Sequence, residues 1–213
     1  MARNKHPEET EQRILDAAGR LFLEKGYDNT TIQDIVDALG NLTKGAVYHH
    51  FSCKEDIMDA LGDRMFYQNN PFDEALGRRD LNGLEKMRLV IRLSGQDARR
   101  NEMTRQAIPL LKNPRVLAQT MESNQKVLAP LWRKLLEEGN RDGSLHTEYA
   151  DELAEVLPML TNLWMGAGFA DGQAAMMRRV HFLADLLEKM GVPLFDQALF
   201  DSMEQYIRAL CDR

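Results

Sequence analysis

Cysteine is scarce in this chain of 213 residues: Cys53 and Cys211 stand at opposite ends and can build no disulfide framework. A reducing, cytoplasmic setting is therefore expected. No apolar run follows the basic residues of the opening MARNKHPEETEQR, which argues against a secretory signal. The longest uncharged run, 156–170, contains Pro158, Asn162 and two glycines. It falls short of the roughly 20 residues a membrane span needs, so a buried helix is the better reading and no membrane partner is expected. Strand-like alternation, internal repeats and low-complexity linkers are also missing. So are a glycine-rich phosphate loop, a metal-spaced His/Glu pair and a nucleophile elbow. Carboxylates are plentiful, but Glu137, Glu138, Asp151 and Glu152 follow surface-helix spacing. The chain is expected to carry no catalytic residue and no cofactor.

What is present is helical periodicity, at 44% hydrophobic and 28% charged residues, ordinary for a soluble globular protein. Ile14, Leu15, Ala18, Leu21 and Phe22 trace one face of a first helix that Gly26 ends. Thr30 with Gln33 reads as a capping box for a second helix, whose face is Ile32, Ile35, Val36 and Leu39 and whose stop is Gly40. A short third helix is expected from about Thr43 to His50. Ser52 with Glu55 suggests another capping box and a fourth helix ending at Asn70-Pro71. Beyond it the pattern predicts helices at 81–100, 103–112, 114–139, 147–170, 173–190 and 196–211, giving an all-α protein.

One further absence is local. Between Asp37 and Glu55 there is no carboxylate, although the chain carries a formal charge of -6. Residues 1–60 hold 7 basic against 11 acidic residues, so any anion-binding face must be confined to this window. Helices two and three, joined around Gly40, have helix-turn-helix spacing. Val47 and Phe51 can face inward, while Lys44 and Tyr48 share another face with Gly45 and His49 alongside. Thr43 can cap the third helix, whose amides favour a phosphate. Lys54 falls in the first turn of the fourth helix, where a cation suits the helix dipole badly and an external anion would explain it. Acids facing a phosphate backbone would be repelled, which accounts for their absence. Arg3, Lys5 and His6 form a basic arm suited to a minor-groove or phosphate contact.

The stretch TTIQDIVDALGNLTKGAVYHHFSCKEDIM resembles the DNA-binding segment of the TetR family of bacterial transcriptional regulators. The likeness covers about residues 10–60. It consists of a Thr-Thr opening, Ile and Ala on helix two, Lys-Gly opening helix three, then Tyr-His-x-Phe and Lys-Glu. Asn41, Leu42 and Thr43 make the turn one residue longer than the usual family turn. The resemblance implies that Thr31, Tyr48, His50 and Lys54 contact phosphates, with Thr43, Lys44, Gly45, Ala46 and His49 at or near base edges. It implies a helix-turn-helix DNA-binding domain, 1–52, followed by a helical ligand-binding and dimerisation domain, 53–213. The implied protein is a homodimeric repressor released from a double-stranded DNA operator by a small-molecule effector. A helical adaptor without sequence-specific DNA binding is the alternative.

Other features have competing readings. His49, His50 and Cys53 could suggest zinc, but no fourth ligand lies nearby and the remaining histidines are isolated, so no metal is expected. Met159, Leu163, Trp164 and Phe169 lie near the kink expected at Pro158, and Trp132 follows Pro130. Adaptable Met and flat aromatics at kinked helices suit a pocket for an apolar ligand; ordinary core is the competing reading. Apolar stripes on the terminal helices (Leu153, Leu157, Leu160, Trp164; Leu199, Met203, Tyr206, Leu210) would suit a four-helix dimer interface.

Overall fold

The computed structural model describes residues 7–67, 70–97, 108–165 and 172–211. Arg3, Lys5, His6 and Phe169 lie outside the described residues. Helix is the regular structure found among the described residues, as the periodicity predicts. Two compact units divide the chain: Met1–Gln68 with Gln106–Gln119, and Asn69–Arg105 with Thr120–Arg213.

The first unit begins with α1 (Pro7–Lys25), α2 (Ile32–Leu39), α3 (Lys44–His50) and α4 (Lys54–Tyr67). Ile14, Leu15, Ala18, Leu21 and Phe22 of α1 are buried with Ile35 and Val36 of α2, Val47 of α3 and Ile57 of α4 in one apolar cluster. Burying such a side chain contributes about 1.5–3 kcal/mol, against about 0–1 kcal/mol for an exposed ion pair, so this cluster decides the fold. A 3-10 turn at Ile108–Lys112 and the start of α7 (Pro114–Ser123) complete the unit, with Leu110, Leu111 and Val116 packed on the same core. The expected helix at 103–112 is thus a tighter turn over its described part.

Two expected caps shift by one residue. The N-cap of α2 is Thr31, whose hydroxyl accepts from the Asp34 amide at 3.1 Å while Asp34 Oδ2 accepts from the Thr31 amide at 2.8 Å. Thr30 turns inward instead: its buried hydroxyl donates to the carbonyls of Leu21 and Gly26 at 3.2 and 2.9 Å. Gln33 spends its amide on Asp37. At the start of α4 the carboxylate that reaches back is Asp56, which accepts from the Ser52 amide at 2.9 Å, rather than Glu55. Gly40 ends α2 at φ 68°, a left-handed backbone that L side chains avoid.

The second unit holds α5 (Pro71–Gly77), which sequence reading missed, α6 (Gly83–Gln96), α8 (Ala129–Asp142), α9 (Ala150–Pro158), α10 (Gln173–Lys189) and α11 (Gln197–Cys211). α6 packs on α5, α8 and α11, α8 on α9, and α10 on α11. The approach of α6 to α8 is backbone-close: a Cβ on Gly83 would fall 2.3 Å from the Gly139 nitrogen. Lys86, nearly fully buried, pairs with Glu138 of α8 at 2.5 Å. Both prolines expected to kink helices border π-helical stretches, Asn124–Leu128 just before Pro130 and Met159–Trp164 just after Pro158. Of the terminal stripes, Leu153, Leu157 and Leu199 are buried within this unit, and Leu160, Trp164, Met203 and Tyr206 are half-buried. No helix among the described residues is long and apolar enough to cross a membrane.

Candidate nucleic-acid interface

α3 is short, and the two sides of it differ sharply. Val47 is fully buried and Phe51, its C-cap, nearly so. Thr43, Lys44, Gly45, Tyr48 and His49 are exposed, and Ala46 and His50 are half-buried. Thr43 holds the helix start, its hydroxyl accepting from the Ala46 amide at 3.2 Å. Lys44 Nζ lies 6.0 Å from the centre of the Tyr48 ring, so the two exposed side chains are neighbours. The rings of His49 and His50 meet edge to face at 5.6 Å. α3 itself carries no acid, so its outer face offers donors and an aromatic surface with nothing anionic among them.

The turn ahead of α3 is braced from α1. Arg13 donates to Asn41 Oδ1 at 2.5 Å, so the first residue of the Asn41–Thr43 turn is tied to α1. Thr31 is exposed at the start of α2, but its amide and hydroxyl both donate to Asp34. Lys25 Nζ, 2.6 Å away, and then Thr31 hold the Asp34 carboxyl far below the usual carboxylate range. That acid keeps its charge but faces a cation of its own.

Lys54 sits differently from an exposed surface lysine. Its ammonium donates to the carbonyls of Tyr27 and Thr30 at 2.6 and 3.0 Å, with that of Asp28 at 3.4 Å. It also lies 4.3 Å from the centre of the Tyr27 ring. In the DNA-free chain the ammonium thus has internal acceptors, at a position where an external anion was expected. Sequence spacing gave no sign of this, because the acceptors are backbone atoms more than twenty residues away.

The candidate ligand residues are not all together. Met159, Leu163 and Trp164 lie half-buried on the second π-helical stretch. Trp132 is buried in the core, edge-on to Phe72 at 5.0 Å. Trp164 forms one wall of a cleft of about 480 Å³ with Ala175, Arg178, Arg179 and Phe182, all on α10. Phe182 meets Trp164 edge to face at 5.6 Å and remains 55% exposed. Arg179 donates to the Trp164 carbonyl at 3.1 Å, its guanidinium over the indole. Sequence reading missed Arg178, Arg179 and Phe182; an aromatic on the outer side of α10, next to paired arginines, was the signal. Among the described residues no His, Cys, Asp or Glu group converges as a metal site.

A trihelical head with an outward, acid-free second helix of a helix-turn-helix defines a DNA-binding regulator. Known proteins agree. The family model described as bacterial regulatory proteins, tetR family, matches residues 14–61. The transcriptional repressor KstR2 of Rhodococcus jostii is 30% identical over 153 residues, 66% of this chain and 70% of that protein. The regulator TtgR of Pseudomonas putida is 40% identical over 58 residues, 27% of each chain. Among solved structures, GusR of Salmonella enterica covers 98% of both chains at 15% identity and a TM-score of 0.59. A γ-butyrolactone receptor covers 97% of this chain and 98% of its own at 22% identity and a TM-score of 0.52. Such distant likenesses carry the fold alone. The chain belongs to the TetR family of bacterial regulatory proteins and is a helix-turn-helix regulator, not an enzyme.

Proposed function

We propose that this protein is a homodimeric repressor that reads operator DNA with the outer face of α3 and leaves it when a small effector binds the second unit. The DNA-binding head corresponds to residues 1–52 and the effector and dimerisation region to 53–213. Thr31, Tyr48, His50 and Lys54 hold the phosphate backbone. Thr43, Lys44, Gly45, Ala46 and His49 stand at the base edges of the major groove. What supports this reading above all is the division of α3: Val47 is buried, while Lys44, Gly45, Tyr48 and His49 are exposed on a helix without a carboxylate. A second copy supplies the other half-site, about 34–36 Å or a multiple of that along the duplex.

The effector half of the proposal draws on the cleft beside Trp164. Its walls pair two aromatics with Arg178 and Arg179, which suits an apolar molecule carrying an anionic group. It opens next to the Met159–Trp164 π-helical stretch, an irregular segment of the sort often found at functional sites. Operator binding is tested by selecting duplexes from a random-sequence library and titrating the winner at increasing KCl. Affinity should fall steeply with salt; a flat response would refute the phosphate account. Thermal-shift screening of medium-chain and aromatic carboxylates, paired with operator release, tests the effector half. Stabilisation without release would refute the coupling.

A further inference from the structure

We propose that the second unit holds a ligand site at Asn124, distinct from the cleft beside Trp164. There the side-chain amide of Asn124 donates to a neutral carbonyl oxygen on an apolar molecule. Asn124 opens the first π-helical stretch, and Asn162 lies within the second. In both stretches a backbone amide reaches back five residues, Ala129 to the Asn124 carbonyl and Met165 to the Leu160 carbonyl. The Asn162 amide donates to Asn124 Oδ1 at 3.2 Å, so the two stretches meet through their asparagines. Asn124 is 4% exposed, and its own Nδ2 is buried with no hydrogen-bond partner among the described residues. That nitrogen carries two donors, and leaving them unmet in the interior destabilises the folded chain. Leucine is similar in size and suits a helix better, so packing alone gives no reason for asparagine here. An acceptor brought in from outside does. Its partner Asn162 is exposed, so the pair runs from the surface to the interior. Met159 and Leu163 of the same stretch are half-buried, and a flexible methionine can shift to admit an apolar body. A single amide offsets the desolvation of a carbonyl oxygen but not that of an ionised carboxylate, so the acceptor is neutral. Asn162 and Trp164 stand two positions apart on one helix and do not share a face. The site is therefore separate from the cleft that holds Arg178 and Arg179.

The test uses the full chain without DNA and three compounds of one skeleton: butyrophenone, the alcohol formed by reducing it, and butylbenzene. With no compound present, Asn124→Leu should melt about 2–4 °C above the wild type, because a donor kept for a ligand weakens the free protein. An asparagine that only held the fold would instead lower the melting temperature when replaced. Wild-type protein should bind butyrophenone about tenfold more tightly than butylbenzene in calorimetric titrations, and Asn124→Leu should bind the two equally. Nitrogen–proton correlation spectra locate the contact. The side-chain amide pair missing from the Asn124→Leu spectrum should move when butyrophenone is added to the wild type. A lower melting temperature in Asn124→Leu, no preference for the ketone, a preference that survives in Asn124→Leu or an unmoved amide resonance would each overturn the proposal. Tighter binding of the alcohol than of the ketone would overturn it too, since the site would then present an acceptor. None of these measurements needs an operator. Their failure leaves the reading of α3 intact, and a chain that binds no selected duplex leaves the Asn124 site standing.

Discussion

The two units solve different problems with the same kind of element. In the first, the four opening helices are regular, α2 and α3 begin on threonine side-chain caps, and the distinctive chemistry lies on an exposed face of α3. In the second, two helices pass through π-helical stretches beside prolines, a lysine is buried against a glutamate, and the aromatic cleft adjoins one irregular stretch. A surface that reads a repetitive polymer needs a rigid platform with interchangeable outer side chains. On the proposed reading, a region that admits a small effector benefits from helices whose hydrogen-bond ladder is already displaced. Substitutions should accordingly separate the units, stability changing with interior contacts and DNA affinity with α3.

The strongest test is Gly83→Val, since its Cβ would fall 2.3 Å from the Gly139 backbone nitrogen. A loss of about 3 kcal/mol in the second unit is expected, read from denaturant melts. Next comes Lys44→Ala with Tyr48→Ala, both on the exposed side of α3. Operator affinity should drop by about 30- to 100-fold, roughly 2–2.7 kcal/mol, while the melt moves by no more than about 0.5 kcal/mol. Thr30→Val sharpens the contrast within the head, because the hydroxyl is buried against two carbonyls. It should cost about 1–2 kcal/mol of stability, and its effect on DNA affinity should follow that loss alone.

The smallest effect concerns pH. The Asp34 carboxyl is depressed in the fold by Lys25 and Thr31. A depressed acid stabilises the folded form above its ordinary value near 4 and loses that contribution as pH falls. Hydrogen exchange in α2 should therefore quicken below about pH 4, and Asp34→Asn should flatten the response. An unchanged acid response in the variant would show that Asp34 does not couple to the α2 cap.

Helix existence was legible in the sequence because apolar spacing is a local signal: the faces of α1 and α2 are the ones buried. Cap identity was not. Two threonines stand side by side, and only tertiary packing turns Thr30 to the Leu21 carbonyl and leaves Thr31 to cap. The α3 side chains could be assigned to inner and outer sides from spacing. The hydrogen-bond partners of Lys54 could not, because they are main-chain atoms brought near by folding. Pro130 and Pro158 marked where the helices become irregular, although the π-helical form of those stretches was not readable. Nor did periodicity show that Arg178, Arg179 and Phe182 share a cleft with Trp164, since that depends on how α10 meets a different segment.

The turn Asn41–Thr43, tied to α1 by Arg13, works as a shim under α3, the helix proposed to read DNA. Its thickness belongs to the scaffold and not to the letters on α3. Grafting those letters onto a relative with the shorter turn would transplant vocabulary without pronunciation: identical side chains would approach the groove at a changed tilt. On the proposed reading, an exchange of operator preference between such proteins is expected to need Arg13 and the turn moved together with the helix.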